Sequence, residues 1–155
     1  MKEPSLREWK LFIAGEGPDK ERLQNLIRIN DLEDKVFLEG NVRREALLYT
    51  LNDSDVFILN TSFESFSFQV VEAMNAGVPV ITTNIGNLAE IIDDDKEGIL
   101  VEPNNQEQII AAVKKISEDR EFREMIVKNA KEKAKLFSIS RTVDNLVNLI
   151  HEHTG

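Results

Sequence analysis

Glu64 and Glu72 stand with seven residues between them in Glu64-Ser65-Phe66-Ser67-Phe68-Gln69-Val70-Val71-Glu72. The segment follows Val56-Phe57-Ile58-Leu59, an apolar run that reads as a strand buried on both faces. Open parallel sheets bind ligands just beyond the carboxyl ends of such strands. The chain turns helical near Ser67, which leaves the amides of Ser67, Phe68 and Gln69 without intrahelical acceptors and facing outward. With the helix dipole they form an anion site suited to phosphate. Glu72 lies about 7 Å further along the axis at ~1.5 Å per residue, a sensible span from a phosphate to the hydroxyls of an attached ribose. Glu64 is placed to accept hydrogen bonds from a sugar on the phosphate's other side. Solvated surface acid is the commoner fate of glutamate, so spacing alone leaves that alternative open.

Other chemistries find less support. The chain has no cysteine, which excludes disulfides, thiolate zinc sites and a thiol nucleophile. Its two histidines, His151 and His153, stand at the carboxyl end, a poor place for a metal or a general base. Asp93-Asp94-Asp95 reads as a solvated acidic loop, because hard cations need convergent ligands. With 19 Lys and Arg against 28 Asp and Glu, the net charge of −9 argues against nucleic acid or an anionic membrane as partner. No apolar run approaches the ~18 residues of a membrane span. The opening residues, Met1 to Arg7, lack the apolar stretch of a secretory signal. A cytoplasmic protein is the expectation.

The remaining sequence supplies the elements that place these residues. Its 155 residues, 41% hydrophobic and 30% charged, suit one domain with a single core. Trp9 to Ala14 reads as a strand ended by Gly15-Glu16-Gly17-Pro18. Asp19 is placed to cap a helix on which Leu23, Leu26 and Ile27 recur at helical spacing. Val36 to Leu38 reads as a second strand, Ala46, Leu47 and Leu51 as a helical face, and Val56 to Leu59 as a third strand. The helix carrying Val70, Val71 and Met74 stops at Gly77, and Pro79 introduces the strand Val80 to Thr83. A helical turn around Leu88 to Ile92 precedes the short strand Ile99 to Val101.

From Asn105 the pattern is wholly helical. Its stripes fall at Ile109, Ala112, Val113 and Ile116, then at Phe122, Met125, Ile126 and Ala130. A third stripe, capped by Ser138 or Ser140, holds Val143, Leu146, Val147 and Ile150. No repeat, low-complexity tract or linker interrupts the chain. Strands alternating with helices indicate a mostly parallel α/β sheet.

The paired glutamates resemble the E-x7-E signature of retaining glycosyltransferases of the GT-B fold, family 4, also called glycosyl transferases group 1. The family pattern E-G-F-G-x-x-x-x-E-A-M-A-x-G-x-P-V-I is similar to Glu64-Ser65-Phe66-Ser67 through Glu72-Ala73-Met74-Asn75-Ala76-Gly77-Val78-Pro79-Val80-Ile81. Gly15-Glu16-Gly17-Pro18 resembles the family's G-x-G-P turn, and Val36-Phe37-Leu38-Glu39-Gly40 its V-x-F-L-G strand. Gly86-Asn87-Leu88-Ala89-Glu90 and Gly98-Ile99-Leu100-Val101-Glu102-Pro103 continue the series in order.

The resemblance implies a Rossmann-like α/β domain with a helical tail, half of a GT-B fold, spanning residues 1–155 and incomplete at its N-terminus. It implies that Glu72 holds the ribose hydroxyls of a nucleotide-diphosphate sugar and that Glu64, the residue closest to catalysis, contacts the transferred sugar. Backbone amides of Phe66, Ser67, Phe68 and Gln69 would bind sugar and distal phosphate, while Gly15, Gly17, Phe37 and Gly40 would line the nucleotide pocket. No metal or other cofactor is implied. Ser65 and Ser67 stand where the family has glycine, and Asn87 replaces a common second glycine. A glycine admits close approach of ligand to backbone, so these departures bear on donor choice.

The strand that opens the family's donor domain, with its G-R-x-x-x-x-K-G segment, has no counterpart here, nor has the acceptor domain. The expectation is a module inactive alone, completed by an N-terminal acceptor domain or a partner chain. The alternative is a non-catalytic nucleotide- or sugar-binding subunit. The strands Leu11 to Ala14 and Val56 to Leu59 would then have unpaired edges, a route to self-association. The full-length enzyme would be cytoplasmic or peripheral to a membrane.

Overall fold

A computed structural model describes residues 9–138. The third helical stripe, the two histidines and the opening residues 1–8 lie outside that range. The chain divides between Thr50 and Leu51 into two compact units.

The first unit is built on β1 (Leu11–Ala14), α1 (Lys20–Ile29) and β2 (Val36–Gly40), followed by α2 (Arg44–Asn52), whose last residues open the second unit. β1 and β2 pair in parallel, Leu11 opposite Val36 and Phe12 opposite Phe37. Parallel neighbours need a crossover, which α1 supplies. The Phe12 and Phe37 rings stack at 5.1 Å between centroids. No α1 residue is fully buried, and Leu11 and Phe12 remain 46% and 49% exposed. The expected Asp19 cap is not formed. Asp19 has helical backbone angles and its carboxylate takes the Arg22 guanidinium at 2.8 Å, so its oxygens do not reach the first free amides.

In the second unit β3 (Phe57–Leu59), β4 (Val80–Thr83) and β5 (Ile99–Val101) form a parallel sheet in that order. Ile58 pairs with Ile81, and Ile81 in turn with Ile99. All four β4 residues are buried. Alternation along β4 sends Val80 to one face and Ile81 to the other. Val80 joins Val70, Ala73 and Met74 of α3 (Phe68–Ala76), Leu88 and Ile91 of α4 (Leu88–Ile91), and Ala130 and Ala134 of α6 (Arg120–Ala134). Ile81 joins Ile99, Val101, Ile126, and Ala112 and Ile116 of α5 (Gln106–Glu118). The last element among the described residues is a 3₁₀ turn, Lys135–Phe137.

Val56 to Leu59 does not form a strand buried on both faces. β3 pairs only with β4 among the described residues and its Ile58 is 36% exposed, the condition of an edge strand. β1 likewise pairs only with β2. Helix ends follow their residue types more closely. Gly77 takes the left-handed conformation (φ 79°) and closes α3 by donating to the carbonyls of Ala73 and Met74. Asn105 caps α5 through the Gln108 amide, and Asp119 caps α6 through that of Phe122.

The acidic loop is exposed but anchored. Asp94 accepts from the Leu100 amide at 2.9 Å and Asp95 pairs with Lys115 at 2.6 Å. Buried Glu97 accepts from the Asp93 amide at 2.9 Å and pairs with Lys133 of α6 at 3.4 Å. Gly98 follows, where a Cβ would lie 2.8 Å from the Val80 carbonyl oxygen. Hydrogen bonding from Lys96, then the charge of Lys133, holds the Asp93 carboxyl below its usual pKa.

Truncating the fully buried Met74 to alanine should destabilise the second unit by about 2–5 kcal/mol, read from urea denaturation. Because the Asp93 pKa is lowered on folding, its contribution is complete above the unfolded value and fades as pH falls through the folded one. Asp93→Asn should therefore flatten the acid limb of stability below about pH 5, measured by the same denaturation at stepped pH.

Candidate functional site

Each unit carries part of the expected set. In the first, Gly15, Gly17 and Gly40 line a cleft of about 280 Å³ together with Glu16, Pro18 and Leu38. Gly15 (φ 134°) donates its N–H to the Gly40 carbonyl at 2.7 Å. Gly40 (φ 64°) has the left-handed backbone that favours glycine, and the atom nearest a Cβ there is the Oε1 of the exposed Glu16 side chain. Phe37 does not line the cleft, because its ring is directed to Phe12.

In the second unit the loop from Asn60 to Ser67 leaves β3 and enters α3. Thr83, at the end of β4, donates its hydroxyl to the Thr61 carbonyl at 2.8 Å and accepts from the Thr61 N–H at 3.4 Å. The Thr61 hydroxyl in turn donates to the Phe63 carbonyl at 2.9 Å. Further along, the Asn87 side-chain amide donates to the Ser65 carbonyl. Gly86 (φ 47°) passes so close that a Cβ would lie 3.0 Å from the Glu64 carbonyl oxygen.

Ser67 stands at the α3 N-cap and is fully buried. Its hydroxyl donates to the Gln69 Oε1 at 3.2 Å and accepts the Val70 N–H at 3.4 Å. The serine that replaces glycine is therefore a helix cap, and its side chain is buried. Two of the amides expected to face outward, those of Phe68 and Gln69, belong to exposed residues. Neither finds an acceptor among the described residues. Such amides carry the positive end of the helix dipole. Phe66 packs edge-on to Phe68 at 5.1 Å and tilted to Phe137 at 5.9 Å. Glu64 and Glu72 are both half-buried, one before the helix and one in its second turn.

Thr61 and Thr83 are the residues that sequence reasoning missed; Asn87 was noticed only as a replaced glycine, not as a donor to this loop. A buried Thr82-Thr83 pair at the end of an otherwise aliphatic strand was the available signal, since buried hydroxyls require partners. Among the described residues no three His, Cys, Asp or Glu side chains gather as a metal site.

Parallel strands, flanking helices and a helix N-terminus beyond β3 make this a Rossmann-like domain of the GT-B glycosyltransferase type. The solved glycosyltransferase of Rickettsia africae superimposes with a TM-score of 0.82 at 24% identity, over 94% of this chain and 40% of that one. Anabaena Alr3699/HepE in complex with UDP-glucose gives 0.81 at 21% identity, over 92% and 41%. The chain belongs to the glycosyl transferases group 1 family, whose model matches residues 1–133. It is 34% identical over 150 residues to an uncharacterised glycosyltransferase of Methanocaldococcus jannaschii, covering 94% of this chain and 38% of the relative. It is 26% identical to the alpha-D-kanosaminyltransferase of Streptomyces kanamyceticus, again over 94% and 38%. The chain thus spans about two-fifths of the length of these relatives.

Ser67→Ala removes the α3 cap and should cost about 1 kcal/mol of stability in urea denaturation. Ser67→Gly should cost only a few tenths of that unit.

Proposed function

We propose that this chain is the donor-binding part of a retaining hexosyltransferase, which transfers a hexose from a nucleotide-diphosphate sugar to an acceptor. One observation carries the reading: α3 begins with two open amides, on Phe68 and Gln69, and the half-buried carboxylates of Glu64 and Glu72 stand before and after them. Amides at a helix start suit a phosphate, and carboxylates suit the hydroxyls of sugars. Family membership, the kanosaminyl transfer in the name of one relative, and the UDP-glucose bound to Alr3699/HepE support the same substrate class.

In this reading Glu72 receives the ribose hydroxyls and Glu64 those of the transferred sugar. The Phe68 and Gln69 amides hold the distal phosphate. The acceptor hydroxyl attacks the anomeric carbon on the face from which the diphosphate departs, so configuration is retained. The developing charge on that diphosphate calls for cationic groups, which the described loop does not place beside α3. An upstream segment or a partner chain supplies them together with the acceptor site, and the chain alone binds donor without turning it over. No resident metal is assigned. We place the enzyme in the cytoplasm. Among the described residues no helix is long and apolar enough to cross a membrane.

Calorimetric titration with UDP, GDP and ADP, with and without attached sugars, tests the assignment. One nucleotide should bind saturably. Glu72→Ala should weaken it about 10- to 100-fold, the loss of hydrogen bonds to a charged acceptor. Glu64→Ala should weaken the sugar-bearing ligand more than the bare diphosphate. A folded chain that binds none of the ligands would overturn the reading.

A further inference from the structure

Asn87 occupies the N-cap position of α4, yet its side chain makes no cap hydrogen bond. An asparagine in that place ordinarily accepts from an amide of its own helix, worth ~1 kcal/mol. Here the side-chain amide instead crosses to the loop before α3 and donates to the Ser65 carbonyl. The approach is close because Gly86 has no side chain beneath the Glu64 carbonyl. Across a planar trans peptide the C=O and N–H point in opposite directions. Aiming the Ser65 carbonyl at Asn87 therefore aims the Phe66 N–H away from the Gly86–Asn87 turn. That N–H has no acceptor among the described residues. It precedes the open amides of Phe68 and Gln69 by two and three residues.

We infer that Asn87 is a positioning residue: by fixing the Ser65–Phe66 peptide it presents the Phe66 N–H as a third donor to the distal phosphate of the bound nucleotide. The inference rests on the donor-binding reading above. Asn87 touches no substrate and acts through the peptide it orients. The carbonyl on the far side of that peptide is neutralised by the asparagine amide, so no acceptor oxygen turns toward the phosphate. An aspartate of the same shape would offer only acceptors, repel the Ser65 carbonyl and release the peptide.

The test compares the chain with Asn87→Asp and Asn87→Ala. Each is titrated calorimetrically with UDP, GDP, ADP and the matching monophosphates, and thermal midpoints are recorded alongside. For whichever base binds, Asn87→Asp should weaken the diphosphate about tenfold, the value of one charge-assisted hydrogen bond, and leave the monophosphate within about twofold. Asn87→Ala should weaken the diphosphate by a smaller factor with the same selectivity, and it carries the test if the aspartate variant fails to fold. Unchanged diphosphate affinity in folded variants would overturn the role of Asn87 while leaving donor binding intact. Equal losses for mono- and diphosphate would do the same, since they would mark a general structural effect. If the unaltered chain binds no nucleotide, the donor-binding reading fails and this inference fails with it.

Discussion

The loop before α3 depends on one buried pair of hydroxyls. Thr82 and Thr83 close the central strand of the second unit with no exposure to solvent, and a hydroxyl there is costly unless it is bonded. Thr82 donates to the Leu59 carbonyl at 3.1 Å and Thr83 to that of Thr61 at 2.8 Å. The β3–β4 pairing thereby continues past the last strand residue into a segment that would otherwise be free. Thr61 passes the constraint to Phe63. The course of the loop that bears Glu64 is thus set largely by the middle of the sheet.

This arrangement also bears on the proposed phosphate site, because the chain as a whole is strongly acidic. Net charge is −9, but a field within a few ångströms is set by the nearest dipoles. The Thr61, Phe63 and Ser65 carbonyls are each occupied by a side-chain donor. The Phe68 and Gln69 amides have no acceptor among the described residues. Backbone donors do not titrate, so their own contribution to the local field is the same at any pH at which the fold survives.

Local chemistry made part of this structure readable in advance. The Gly77 stop, the Pro79 restart and the order of strands and helices each rest on the preference of a residue for a backbone conformation, and each is present. The E-x7-E spacing placed Glu64 before α3 and Glu72 within it. Elsewhere the reading met competition that sequence does not display. Asp19 had a neighbour, Arg22, that drew its carboxylate off the cap. β3 was apolar enough for a central strand but lies at an edge, because apolarity reports burial and not the number of strand partners. Ser67 was noticed as an absent glycine, whereas its hydroxyl serves the helix. Thr83 and Asn87 each lie more than twenty residues from the loop they hold, beyond the reach of any local periodicity.

Gly98 has a further consequence. The nearest atom that a side chain there would meet is the main-chain oxygen of Val80, in the most buried strand of the unit. A crowded side chain can be relieved by a smaller residue at the facing position, so most packing defects admit suppressors elsewhere in the sequence. A peptide oxygen is the same for every amino acid. No substitution at position 80 removes that oxygen, so a side chain at position 98 requires the main chain itself to shift.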